Sequence, residues 1–195
     1  MIKVGVTGGI GSGKTVVCTL FRLHDIPVFD ADKEAKELND TSPFIRAQII
    51  HHFGEGLYSG TRLNRKKLAS LIFRDEEKLA IVNSIIHPVL TSTFNEWCRE
   101  RNDHSFVVID AALLIEAGLH RLVDKVITVT APAEMRIERA MKRDHTGRHE
   151  VEARMNHQLP EEEKINQSDF VIYNDNRQSL IQQVSYFIQR CSFSL

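Results

Sequence analysis

Eight residues near the start of the chain, Gly8-Gly9-Ile10-Gly11-Ser12-Gly13-Lys14-Thr15, place four glycines, a lysine and a hydroxyl in the spacing Gly-x4-Gly-Lys-Ser/Thr. Glycine at this density lets the backbone wrap closely around a tetrahedral anion with several N–H groups turned inward. Lys14 supplies a point charge suited to the β and γ phosphates of a nucleoside triphosphate, and the Thr15 hydroxyl is a ligand for Mg²⁺. A helix expected to begin near Lys14 adds its positive end. The pattern is that of a phosphate-binding loop, and its setting agrees, because the apolar run Ile2–Thr7 just before it reads as a strand.

The carboxylates and arginines further on each carry two readings. Asp30-Ala31-Asp32 ends the second β-rich run, at the sheet edge where open α/β folds bind ligands. A carboxylate there either accepts the proton of an acceptor hydroxyl or caps the next helix. Asp110, closing Phe106–Asp110, either holds Mg²⁺ through water or makes a strand-end turn. Arg136, Arg139 and Arg143 fall at i, i+3 and i+7 and so share one helical face, and Arg139 and Arg143 repel unless an anion or acid lies between them. Arg148 follows in the polar segment 144–150, which has the length and composition of a lid. These arginines either neutralise charge on a transferring phosphoryl group or form a solvated face balanced by Glu134 and Glu138. His87, just before Pro88, is either core or a substrate contact.

The elements that must position these groups are legible from periodicity. Short β-rich runs occur at Ile2–Thr7, 27–30, Phe106–Asp110, Lys125–Thr130 and Phe170–Tyr173, with helical patterns between them. Three are almost continuously apolar, as strands covered on both faces are, so the fold class is α/β with a parallel sheet. Between the second and third runs lie residues that read as helices throughout. Ser42-Pro43 gives an N-cap followed by proline at N1, Asp75-Glu76-Glu77 loads acid into a first turn, and Pro88 marks a break between two helices within 76–101. This stretch is a helical insertion.

Composition limits what the loop serves. A chain of 195 residues with 42% hydrophobic content fits one compact domain carrying a sizeable insertion. Lys plus Arg number 25 against 26 Asp plus Glu, a net charge of -1, so no global positive field exists to hold nucleic acid or an anionic membrane. No run of about 18 apolar residues is present, and the first residues do not resemble a signal peptide. Cys18, Cys98 and Cys191 are odd in number and far apart, as free thiols in a reducing compartment are, and the expected location is cytoplasmic.

Taken end to end, the sequence resembles the dephospho-coenzyme A kinases. The resemblance rests on Val6 through Thr15, on Asp30-Ala31-Asp32, on Arg65 through Phe73 with His87-Pro88, and on Leu113-Leu114 with Glu116. It continues through Arg139 with Arg143-Asp144, Gln158, Asp169 to Ile172, and Asn174. It implies a P-loop three-layer sandwich with a five-stranded parallel sheet, a helical insertion and a lid. The nucleotide-binding core would comprise 1–30, 106–135 and 159–195, the acceptor-binding insertion 31–105, and the lid 136–158. The implied reaction is ATP-dependent, Mg²⁺-assisted phosphorylation of the ribose 3′-hydroxyl of dephospho-CoA, by a monomer or weak homo-oligomer. By resemblance Asp32 is the catalytic base, with Lys14, Arg139 and Arg143 in the catalytic set. Gly9, Gly11, Ser12, Gly13, Lys14, Thr15, Val16, Arg148 and Asn174 would bind ATP, and Asp32, Arg65, His87, Leu113 and Glu116 the acceptor. Thr15 and Asp110 would hold the metal. Ala112 replaces a usual proline and Asn176 a frequent glycine, so the walls beside them are expected to differ in shape. Another small-molecule P-loop kinase, acting on a nucleoside, nucleotide or sugar acid, is the alternative, with Arg46, Arg62, Arg65 and Arg74 available to an acceptor phosphate. An ATP-bound switch acting through a partner protein is the reading from another class.

Overall fold

A computed structural model describes residues 1–72 and 75–192; Phe73 and Arg74, which the sequence analysis places in the insertion, lie outside the described residues. Two compact units are present, one of residues 1–30 with 100–195 and the other spanning Ala31–Arg99. Residues 100–105 group with the sheet-bearing unit.

The first unit is built on strands β1 (Ile2–Thr7), β2 (Val28–Asp30), β5 (Phe106–Asp110), β6 (Lys125–Thr130) and β7 (Phe170–Tyr173). They form one sheet in the order β2-β5-β1-β6-β7, every neighbouring pair parallel. All five strands match the runs read from the sequence to within a residue at their ends. Their near-continuous apolar character follows from the cover on the sheet. Helices α1 (Lys14–Leu23) and α9 (Leu180–Ser192) lay Val17, Phe21, Val184 and Phe187 onto Val4, Val6, Phe106, Val108, Ile127 and Val129. Edge-on ring contacts of Phe21 with Phe106 and Phe187, at 6.2 and 6.0 Å between centroids, lock that layer. Gly5 is bare because a side chain there would meet Leu114 and Val123. The remaining helices of this unit are α6 (Ala133–Asp144), α7 (Arg148–Met155) and α8 (Glu161–Asn166).

The second unit runs α2 (Ala31–Thr41), α3 (Pro43–Phe53), a hairpin of β3 (Tyr58–Ser59) and β4 (Arg62–Leu63), α4 (Arg65–Ile72) and α5 (Glu76–Arg99). Its core gathers Ile45, Ile49, Leu57, Leu63, Leu68, Val82 and Ile85. Ser42 caps α3 as expected, its hydroxyl accepting from Ile45 N–H at 3.3 Å with Pro43 at N1. The hairpin departs from the all-helical expectation. Gly60, at φ 60°, makes the reversal between Tyr58-Ser59 and Arg62-Leu63, and Asp40 pins it by accepting from Leu63 N–H at 2.9 Å.

Pro88 does not divide two helices; α5 runs through it. Proline in a helix interior costs about 3 kcal/mol through the lost N–H and a clash with the preceding turn. Val82, Ile85, Leu90 and Phe94 are all buried along the same helix, and each such side chain contributes about 1.5–3 kcal/mol, so packing outweighs the penalty. Replacing Pro88 by alanine is expected to close the hydrogen-bond ladder and raise stability by about 1–3 kcal/mol, read from the urea midpoint. A lower midpoint would show that the proline itself sets how α5 packs.

Candidate active site

The phosphate-binding loop leaves β1 at Thr7 and enters α1 at Lys14, and glycine is required at two of its corners. Gly11 has φ 78° and a side chain on it would run into the backbone of Arg136; Gly13 has φ 94° and a side chain there would strike the Asn174 amide. Gly13 is also the N-cap of α1, whose first N–H groups have no carbonyl one turn earlier to bond. Within the loop, Ser12 N–H closes onto the Gly9 carbonyl at 3.0 Å.

The loop is also held from outside. Ile10 is gripped on both backbone groups: its N–H donates to Gln158 Oε1 at 2.9 Å and its carbonyl accepts from Arg136 Nε at 3.1 Å. Arg136 is itself fixed by Glu161 through a 2.6 Å ion pair. On the other side Asn174 Nδ2 donates to the Ser12 carbonyl at 2.8 Å, and Arg139 donates to the Asn174 carbonyl at 3.1 Å. Asn174 therefore touches the loop. Asn176, in place of the frequent glycine, adopts φ 64° and accepts from Arg139 at 3.4 Å; asparagine tolerates the left-handed conformation that glycine would supply.

Lys14 Nζ and Asp110 Oδ1 form an ion pair beneath the loop. Strand register explains the meeting: Asp110 lies opposite Val6 on one side and Asp30 on the other, at the carboxyl edge of three adjacent strands. Burial drives the Cys18 thiol well above its usual range, and the Asp110 carboxylate beside it adds to the effect, so Cys18 is an inert wall and no nucleophile. Thr15 and Val16 are exposed at the start of α1.

The arginines separate. Arg136 is not available to an incoming anion, because it is 6% exposed and committed to Glu161 and Ile10. Its spacing was right and its partner invisible, since both lie far along the chain. Arg143 grips its neighbour Asp144 with two hydrogen bonds of 2.7 and 2.9 Å, and Arg154 holds the same carboxylate at 2.6 Å. Those two hydrogen-bonded guanidiniums hold the Asp144 carboxyl far below the usual carboxylate range. Arg148 pairs with Glu134 and Glu152. The segment 144–150 comprises the last residue of α6, a tight turn with His145 at φ 51°, and the start of α7 at Arg148.

Beyond β5, Leu113 is exposed, whereas Glu116 Oε1 accepts from Leu159 N–H at 3.1 Å and pairs with Lys164 Nζ at 2.8 Å. Lys164 was not foreseen; a lysine following three glutamates reads as surface. Ala112, the other departure, contributes its carbonyl, which accepts from Thr7 Oγ1 at 3.2 Å and which proline would equally present.

Asp32, Arg65 and His87 belong to the second unit. Asp32 sits in the first turn of α2. Arg65 bonds Asp40 at 2.5 Å and the Lys36 carbonyl at 2.7 Å. Burial pushes the Asp40 carboxyl up, but the Leu63 N–H and Arg65 outweigh it and the net direction is down. Burial alone lowers the pKa of half-buried His87.

Substituting Arg136 by alanine would release Ile10 and leave Glu161 without its cation. The expected result is a stability loss of about 3 kcal/mol and weaker binding of a non-hydrolysable ATP analogue, by about tenfold or more. Calorimetric titration checks it, and unchanged affinity would show that the loop keeps its shape unaided.

The model of the dephospho-CoA kinase family matches residues 2–179. A dephospho-CoA kinase of Bacteroides fragilis is 38% identical over 183 residues, covering 94% of this chain and 89% of its own. Among solved structures, the TT1252 protein of Thermus thermophilus superposes with a TM-score of 0.87 at 32% identity, covering 97% of this chain and 96% of its own. The dephospho-CoA kinase of Campylobacter jejuni superposes with a TM-score of 0.71 at 25% identity, covering 98% of each chain. A phosphate loop at the carboxyl edge of a five-stranded parallel sheet, within a match that also spans the helical unit, places this chain in the dephospho-CoA kinase family.

Proposed function

We propose that this chain transfers the γ-phosphoryl group of ATP to the ribose 3′-hydroxyl of dephospho-CoA, giving coenzyme A and ADP. The observation that carries the reading is the family match across 2–179, which includes Ala31–Arg99 as well as the generic phosphate loop. In the transfer, the bond from the γ-phosphorus to the bridging oxygen of ADP breaks and a bond to the 3′-oxygen forms. Asp32 takes the hydroxyl proton. By segment, 1–30, 106–135 and 159–195 would hold ATP, 31–105 would hold the acceptor, and 136–158 would close as a lid.

The core residues have physical reasons for these roles. Lys14 exchanges Asp110 for the β and γ phosphates. Thr15 and Asp110 offer the hard oxygens that suit Mg²⁺, and they would hold it where it spreads the negative charge of those phosphates. Gly9, Gly11, Ser12, Gly13 and Val16 line the nucleotide side with Asn174. Arg139, Arg143 and Arg148 lie on α6 and α7, and the ion pairs of Arg143 and Arg148 with carboxylates are exposed ones. Such pairs contribute about 0–1 kcal/mol, so re-pairing with phosphate oxygens costs little, whereas buried Arg136 stays in place. Arg65, His87, Leu113 and Glu116 are the acceptor-side candidates. No helix among the described residues is long and apolar enough to cross a membrane, and three buried free cysteines suit the cytoplasm.

Two measurements test this. ADP formation from Mg-ATP is expected to rise with dephospho-CoA and not with AMP, CMP or gluconate; stimulation by one of the others would keep the kinase and move its acceptor. Asp32→Asn is expected to bind ATP normally and to lose at least about 100-fold in turnover, and a variant with normal turnover would remove Asp32 from the role.

A further inference from the structure

We propose that Lys164 is a positioning residue for phosphoryl transfer, its buried ammonium joining the post-β5 loop to the segment that holds the phosphate loop. The inference rests on the kinase reading above. Lys164 is 0% exposed, and its Nζ pairs with Glu116 at 2.8 Å and approaches the Ala112 carbonyl at 3.5 Å. Glu116 also accepts from Leu159 N–H at 3.1 Å. The stretch 158–164 therefore grips the loop 112–118 near both of its own ends. The same stretch grips the phosphate loop, through Gln158 on Ile10 N–H and through Glu161 on Arg136, which in turn holds the Ile10 carbonyl. Thr7 closes the circuit by donating to the Ala112 carbonyl one residue before the loop begins. Loop 112–118 leaves the sheet directly after Asp110, at the carboxyl edge, and carries exposed Leu113.

Stability does not account for this pair. Desolvating an ammonium and a carboxylate together is costly, and apolar or neutral residues of similar shape commonly serve a fold as well or better. Among the described residues, buried Glu116 Oε2 has no hydrogen-bond partner. What the pair provides is a fixed distance between the loop that cradles the phosphates and loop 112–118, which carries Leu113 and Glu116. A misplacement of about 1 Å between reacting groups can cost on the order of 100-fold in rate.

The double variant Lys164→Met/Glu116→Gln removes both charges while keeping side-chain length and an acceptor for Leu159 N–H. Lys164→Met alone would strand the carboxylate, so the double variant carries the test. It is expected to melt at or above the wild-type midpoint and to bind a non-hydrolysable ATP analogue normally. Its kcat with both substrates saturating is expected to fall by up to about 100-fold. Wild-type kcat in a stable double variant would overturn the proposal. So would a change confined to the KM for dephospho-CoA, which would make Glu116 a plain acceptor contact. A double variant that melts well below the wild type or fails to fold assigns the pair to stability and overturns it too. If the wild type itself does not turn over dephospho-CoA, the functional reading has failed and not this inference alone.

Discussion

A loop of glycines has no side chains with which to hold its own shape, and everything else around this site answers that constraint. Gly11 and Gly13 sit at positive φ, and Arg136 and Asn174 also come too close there for any side chain. Those two neighbours are also what keep the loop in place, one through the Ile10 carbonyl and one through the Ser12 carbonyl. The glycines thus allow the approach, and the approaching residues restore the rigidity that glycine forfeits. Preorganised N–H groups are what make such a loop useful, since they need not reorganise when charge develops on a phosphoryl group.

Charge is distributed in two tiers around this loop. Buried pairs, Arg136 with Glu161 and Lys164 with Glu116, are costly to break and act as fasteners. Exposed pairs, those of Arg143 and Arg148, are nearly free to exchange. Lys14 and Asp110 fall between, largely shielded yet at the sheet edge. The same arginine-rich helix, α6, therefore serves both tiers, with Arg136 buried in its first turn and Arg143 exposed in its last.

The sheet was legible because parallel strands covered on both faces must be apolar throughout, and the phosphate loop because its spacing has few other uses. The hairpin 58–63 was not, since strands of two residues have no periodicity; Ser59-Gly60 was the only cue. Pro88 misled because local propensity cannot weigh the burial of Val82, Ile85, Leu90 and Phe94 along the same helix. Arg136 and Lys164 show the deeper limit. Spacing tells which residues share a helical face, but not which of them finds a carboxylate from a distant segment and turns inward. Asn176 shows the converse, a departure from the family pattern that keeps the backbone conformation the pattern encodes.

Delivery of a phosphoryl group to one hydroxyl of dephospho-CoA can be read from phosphorus NMR of the product formed from Mg-ATP and dephospho-CoA. The expected result is a new phosphomonoester signal whose phosphorus couples to the ribose H3′ proton, in step with ADP formation. Coupling to any other proton, or release of inorganic phosphate alone, would rule out transfer to the 3′-hydroxyl.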